Sequence, residues 1–439
     1  MTTKLHFKAV LTPQGVRERT TIIVNPQGVI DGFEPYPGHD FTADVAIPGV
    51  PNAHSHAFQR AMAGLTERAQ ENSTFWGWRD TMYRVAQRLT PDDMRVVAEV
   101  AFRDMLAAGY TSVAEFHYIH RLPDGTLSAD MAQALWSAAQ AAGIRMVLFP
   151  VIYQQAGIGK PPLDAQKRFV LSTDEYLELY RDCAEMGPVG CAPHSLRAVG
   201  LDALMSVVAT LWQENPATRF HIHIGEQPRE IEEIQAATGY RPYDLLARCV
   251  DLGNAWVLVH ATHFTEPEFR AVAATGATLC VCPLTEAHLG DGTFRGTSFW
   301  EAGGKVAIGS DSNARLDAFE EIRWLDYAQR LRHESRSPFA LSPSRGAGLF
   351  KNVLEAGALA LGAPVGRLEV GAHADIIALA DPYGEFTAGP AVLADRLLVS
   401  AGREQISGVF VGGKRVALNP EAALRQAYQR VLLRLVEEV

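Results

Sequence analysis

Short apolar or β-branched runs alternate with longer stretches of helical period along most of the chain. The runs are 47–56 (IPGVPNAHSH), 111–117 (TSVAEFH), 145–153 (RMVLFPVIY), 189–196 (VGCAPHSL), 219–226 (RFHIHIGE), 255–263 (AWVLVHATH), 278–286 (TLCVCPLTE) and 305–313 (KVAIGSDSN). They are apolar nearly throughout, the pattern of strands buried on both faces, hence of a parallel sheet covered by helices. Of the stretches between them, 91–108 opens with a Thr cap, a first-position Pro and two acids, and stops near Gly109. Residues 128–142 form another, stopped by Gly143. Eight such pairs predict an α/β fold, a closed (β/α)8 TIM barrel over residues 47–365. An open doubly wound sheet is the competing architecture, but no glycine-rich phosphate loop follows a first strand.

The two ends differ from this middle. Residues 1–46 alternate apolar and polar between turn signals, and 366–420 do the same in GRLEVGAHADIIALA, LLVSAG and ISGVFVGGKRV. Neither end can build a large core alone, so together they predict one small β-sandwich domain made from both termini. Residues 421–439 have a helical period and are expected to pack back on the body.

Composition narrows the function classes. With 40 basic and 50 acidic residues the net charge is −10, which argues against a nucleic-acid partner. No apolar run approaches the ~18 residues of a spanning helix, and the first residues lack a signal-peptide pattern. Cysteines 183, 191, 249, 280 and 282 form no CxxC pair and read as reduced thiols, so a cytoplasmic protein is expected.

The 14 histidines are the unusual feature, because several fall at the C-terminal ends of the candidate strands, where barrels build active sites. His54 and His56 lie two apart, on one face of a strand, about 7 Å along the chain, and can converge on a metal. His221 and His223 repeat the spacing on strand five, and Glu226 follows just past the strand end. His260 closes strand six, with His263 three residues on, and Asp311 closes strand eight. Any one of these alone reads better as a satisfied structural group. His54, His56, His223, His260 and Asp311 together on one rim read better as a shared metal site of imidazole and carboxylate donors.

This constellation resembles the amidohydrolase superfamily, and the His223–Glu226 spacing resembles its deaminase branch. The resemblance spans essentially the whole chain, terminal strands included. It implies one divalent metal ion, with zinc the first expectation and iron(II) or manganese open. Binuclear relatives carry a modified lysine at the end of strand four, and here that strand reads Gly190-Cys-Ala-Pro-His194. The implied ligands are His54, His56, His223 and Asp311. Glu226 becomes the proton shuttle, His260 the group polarising the substrate, and Asp311 a second possible proton acceptor.

Three stretches, 51–65 (PNAHSHAFQRAMAGL), 75–84 (FWGWRDTMYR) and 192–200 (APHSLRAVG), resemble deiminases of linear amidines within that branch. The substrate implied is a small dicarboxylate, and the recognition set is Gln59, Arg79, Tyr118, His194 and Arg197. Arginine suits this task because its planar fork matches carboxylate geometry. A homodimer is implied in the same way. Two other readings compete: a deaminase of a purine or similar heterocycle, and a non-catalytic barrel relative. The roles of His117, His120, His221 and His263 stay open.

Overall fold

The computed structural model describes residues 2–67 and 75–436. Its strands, in chain order, are β1 (Thr3–Thr12), β2 (Gly15–Val24), β3 (Ile30–Pro35), β4 (Ala43–Pro48), β5 (Val50–Ser55), β6 (Tyr110–His117), β7 (Arg145–Ile152) and β8 (Ala192–Pro193). They continue as β9 (Phe220–Ile224), β10 (Trp256–His260), β11 (Thr278–Val281), β12 (Lys305–Ile308), β13 (Ile376–Leu379), β14 (Ile406–Val411) and β15 (Lys414–Arg415).

Strands β5 to β8 and β9 to β12 form two parallel ladders, each in sequential order. Parallel bridges Cys191–Phe220 and Ser195–His223 join the first ladder to β9, and Ser55–Asp311 joins the exit of β12 back to β5. The result is the closed (β/α)8 barrel that the alternating runs predict. Its strands are buried nearly end to end because helices cover the outside. The helix Pro91–Ala107 starts with a reciprocal cap, in which Thr90 Oγ1 accepts from Asp93 N at 3.2 Å and Asp93 Oδ2 accepts from Thr90 N at 2.9 Å. The helix Asp130–Ala142 stops at Gly143, which takes the left-handed conformation with φ 82°.

The strands of the two termini form one seven-stranded sheet in the order β15-β14-β13-β4-β1-β2-β3. Phe7, Val10, Ile22, Val24, Ile30, Leu368, Ile376 and Phe410 belong to its own small core. Two details differ from the sequence expectation. The run 47–56 is split: Ile47 and Pro48 pair with β13, and the barrel strand begins at Val50. The break falls at Gly49, where a side chain would collide with Thr111. The segment LLVSAG, expected as a strand, lies largely in the helix Leu393–Ser400. Leu393, Ala394, Leu397 and Leu398 are its buried face, a helical spacing that a short window of apolar residues conceals. The helix Ala422–Val436 packs on Pro91–Ala107, with Arg434 Nη2 2.5 Å from Asp93 Oδ2.

Candidate metal centre and active site

His54 is the fifth residue of β5 and His56 follows its last, so both leave the strand toward the same end of the barrel. His223 lies on β9, His260 ends β10, and Asp311 sits three residues beyond β12. His260, Ala261, Asp311 and Asn313 all have positive φ, between 44° and 74°. Backbone strain of this kind, about 1–3 kcal/mol per residue, persists only where surroundings impose it, and it collects at functional sites.

The donor atoms converge. His54 Nε2 is 3.2 Å from His56 Nε2 and 3.0 Å from His223 Nε2. Asp311 Oδ1 is 3.3 Å from both His54 Nε2 and His56 Nε2. Tautomers make this arrangement telling. His56 Nδ1 lies 2.8 Å from Phe116 O and His223 Nδ1 lies 3.0 Å from His194 O, and each can only donate to its carbonyl. Their Nε2 atoms therefore present lone pairs toward His54 and Asp311. A buried site into which lone pairs and a carboxylate converge suits a cation. Tetrahedral donors bonded at ~2.0–2.1 Å stand about 3.3 Å apart, close to the separations found. The residues present thus fit a divalent metal ion. His260 is also in range, since one donor atom each of His54, His223, His260 and Asp311 lies within 4.8 Å of the others.

Burial sets the charges. It drives His54 and His56 below the usual imidazole range, His56 to about 3, helped there by the neighbouring His54. Both rings are thus neutral, as metal ligation requires. Burial would raise Asp311, but the hydrogen bond from His54 and the surrounding imidazoles of His54, His56 and His260 hold it below its usual value.

Glu226 stands just past β9 on a turn through Gly225, with φ 63°. Glu230 accepts from Gly225 N at 3.1 Å and from Glu226 N at 3.0 Å, which fixes the turn. Burial raises the Glu226 carboxyl to about 7, with His260 opposing and Asp311 and Glu230 adding to the rise. Burial alone would lower His260, but Glu226, Glu286 and Asp311 more than offset it and raise its pKa well above the usual value. His260 Nδ1 lies 3.3 Å from Glu286 Oε1 and its Nε2 lies 3.8 Å from Glu226 Oε1. Glu286 also accepts from Cys282 N at 3.0 Å. The sequence reading overlooked Glu286, although it ends the quoted run TLCVCPLTE. Four residues after Cys282, it can reach back over the start of the helix Pro283–Leu289.

A cleft opens above the cluster and contains every residue of the expected recognition set among its walls. Gln59 Nε2 donates to Tyr118 Oη at 2.9 Å, and Gln59 Oε1 is buried with no partner among the described residues. Arg79 and Arg197 each have a buried Nε with no partner there either. Arg79 lies over the Trp76 ring at 4.3 Å and near Tyr83 at 5.5 Å. His194 packs 4.9 Å from the His223 ring, and its backbone carbonyl orients that ring. Four other histidines face away from the centre or lie outside it. His221 Nε2 bonds Ala360 O, His120 Nε2 bonds Val151 O, His263 Nε2 bonds Asp291 O, and His117 packs edge-on to His120.

Residues 45–416 match the amidohydrolase family. The chain belongs to the amidohydrolase family. It is 40% identical to formimidoylglutamate deiminase of Pseudomonas aeruginosa, over 98% of both chains. It is 30% identical to a 5-methylthioadenosine/S-adenosylhomocysteine deaminase of Halobacterium salinarum, over 84% of this chain and 81% of that one. Among solved structures, an amidohydrolase from Brucella melitensis superposes with a TM-score of 0.90 at 36% identity, covering 99% of each chain. An adenosine deaminase from Xanthomonas campestris with bound zinc shares the amidohydrolase fold at a TM-score of 0.82, 22% identity and 98% coverage of each chain.

Proposed function

We propose that this amidohydrolase hydrolyses N-formimino-L-glutamate to N-formyl-L-glutamate and ammonia, a step of histidine degradation, using one divalent metal ion, zinc by preference. The observation that carries the substrate choice is the pair Arg79 and Arg197. Each has a buried Nε without a partner among the described residues, and each lines the cleft beside His56, His223 and Asp311 of the donor cluster. Buried polar groups are normally satisfied. An unpaired Nε–H on each of two arginines lining one cleft suits two anionic groups of a ligand, and the relative at 40% identity carries the name of an enzyme acting on a dicarboxylate. Aromatic side chains also line the cleft, as a heterocycle deaminase requires, but a neutral heterocycle offers neither arginine an anionic partner.

His54, His56, His223 and Asp311 would hold the ion. When bound, such an ion lowers the pKa of a coordinated water toward neutrality and so supplies the nucleophile. Glu226, with a pKa near that of the medium, takes a proton from the attacking water and passes it to the departing nitrogen. His260, protonated between Glu226 and Glu286, donates a hydrogen bond to the developing tetrahedral centre. Arg197 and Arg79 bind the two carboxylates, and Gln59, Tyr118 and His194 orient the chain between them. The reaction adds water across the C=N bond and then breaks the C–N bond to the imino nitrogen, which leaves as ammonia. The proposal includes a cytoplasmic homodimer. The five cysteines, all unpaired, agree with a reducing compartment, and the dimer is checked by sedimentation.

Ammonia release from N-formimino-L-glutamate, measured beside adenosine, guanine and cytosine, tests the reading. Turnover of the amidine and none of the bases supports it; clear preference for a base overturns the substrate and leaves the hydrolytic site standing.

A further inference from the structure

Three of the four proposed metal ligands come from opposite ends of the chain's barrel segment. His54 and His56 flank the end of β5, and Asp311 follows β12. The backbone joins them, with Asp311 N donating to His54 O at 3.0 Å and His56 N donating to Asp311 O at 2.9 Å. Behind that joint runs a continuous line of side chains that the mechanism above leaves unused. Asn52 Oδ1 accepts from Ser310 N at 3.0 Å, and Asn52 Nδ2 donates to Ser310 Oγ at 2.6 Å. Ser310 Oγ donates to Asn313 Oδ1 at 2.6 Å. Asn313 Nδ2 donates to Ser55 Oγ at 3.1 Å and to the His56 carbonyl at 2.9 Å. Ser55 Oγ donates to Glu115 Oε2 at 2.7 Å, and Glu115 Oε1 accepts from Ala57 N at 2.6 Å. All five side chains are at most 1% exposed.

We propose that Asn52, Ser310, Asn313, Ser55 and Glu115 form a buried strap that positions the metal ligands, with Asn313 as its central joint. The strap touches the residue before each ligand turn and the residue after it. Asn52 lies two before His54, Ser55 lies between the two histidines, and Ala57 follows His56. Ser310 and Asn313 bracket Asp311. Asp311 and Asn313 both hold positive φ, 44° and 56°, a conformation that Asp and Asn tolerate but do not prefer. The bonds from Asn313 to Ser310, Ser55 and His56 fix that conformation and with it the direction of the Asp311 carboxylate. Groups that orient ligands in this way change metal affinity by about 10–100-fold when removed. These are positioning residues, because none of them reaches the cleft.

The inference rests on the metal centre proposed above, and zinc(II) binding to the metal-free full chain separates the two claims. Affinity is read by competition with a chelator of known strength, on wild type, Asn313→Gly and Ser310→Ala. Glycine accepts the left-handed φ, so it removes the bonds without adding strain. Ser310→Ala deletes a single hydroxyl and serves if the first variant does not fold. Asn352→Ala is the control, since Asn352 accepts from Val306 N at 2.9 Å near the far end of β12, away from the ligands. The strap predicts zinc binding about 10–100-fold weaker in both strap variants and within 2-fold of wild type in the control, whatever the melting temperatures. Turnover of the strap variants is expected to recover partly with excess zinc. Wild-type affinity in folded strap variants, or an equal loss in Asn352→Ala, overturns the strap. Absence of zinc binding by wild type itself overturns the metal centre instead.

Discussion

Glu226 Oε1 stands 3.8 Å from His260 Nε2, and both side chains are buried at the mouth of the same barrel. This pair places an acid with a pKa near 7 against an imidazolium, beside the donor cluster but outside its shortest contacts. Glu226→Gln keeps the shape and removes the proton-carrying function. It is expected to fold and to bind metal as wild type does, with kcat lowered by about 10²–10⁴-fold. Steady-state kinetics together with metal content check this, and near-normal turnover removes Glu226 from the reaction.

Glu286 carries the other face of His260. Glu286→Gln retains an acceptor for Cys282 N but withdraws the charge that helps keep His260 protonated. A fall of kcat with KM nearly unchanged is expected, because the effect acts on the developing charge and not on ground-state binding. Glu286→Ala is expected to be less stable as well, by about 1–3 kcal/mol, since the buried Cys282 N–H loses its partner. Thermal melts beside kinetics distinguish the two substitutions.

The arginines make the substrate claim quantitative. Loss of a charge-assisted hydrogen bond is worth about 1.5–3 kcal/mol, roughly 10–150-fold in kcat/KM. Arg79→Met and Arg197→Met are each expected to lose that factor on N-formimino-L-glutamate. Each should also close most of the gap between that substrate and a formimino amino acid bearing a single carboxylate. An unchanged preference in both variants counts against a dicarboxylate.

Two pH responses follow from burial. Glu226 acts as a base in its ionised form, so kcat/KM is expected to rise with pH through about 7 and level off above. Glu115 is raised from 4.5 to about 8, burial outweighing the hydrogen bonds from Ala57 and Ser55. Between those values the unfolded chain has released a proton that the folded chain still binds. That contribution to the stability of the metal-free protein therefore falls as pH rises from 4.5 to 8 and is flat beyond. Glu115→Gln imitates the neutral acid. The melting temperature of this variant, metal-free, should gain on wild type as pH increases across that window, and a constant difference contradicts the assignment.

The barrel was legible because its strands are buried on both faces and announce themselves as apolar runs, whereas LLVSAG at 397–402 was not. Six residues cannot separate a strand from the buried face of a short helix, and the helical partners Leu393 and Ala394 lay outside the window. The cluster proposed to hold the metal, His54, His56, His223 and Asp311, drew notice in the sequence because each stands at a strand end with a spacing that carries direction. The supports did not. Glu115 lies mid-strand in β6, and Asn52 precedes the histidines on β5. Their value depends on Ser310 and Asn313, about 260 residues from Asn52 and about 200 from Glu115 in sequence, which no local pattern reveals. Arg79 could be placed only by resemblance. The helix Phe75–Ala86 brings it into the cleft from a segment with no strand to mark it.

The central claim is a metal-dependent site built for a dicarboxylate amidine. The most direct measurement is ammonia release from N-formimino-L-glutamate by purified protein, before chelation, after chelation and after restoring one equivalent of zinc. Release that stops on chelation and returns with one equivalent is expected, with adenosine and guanine left unchanged throughout. Release that persists in metal-free protein, or turnover of a base in place of the amidine, contradicts it.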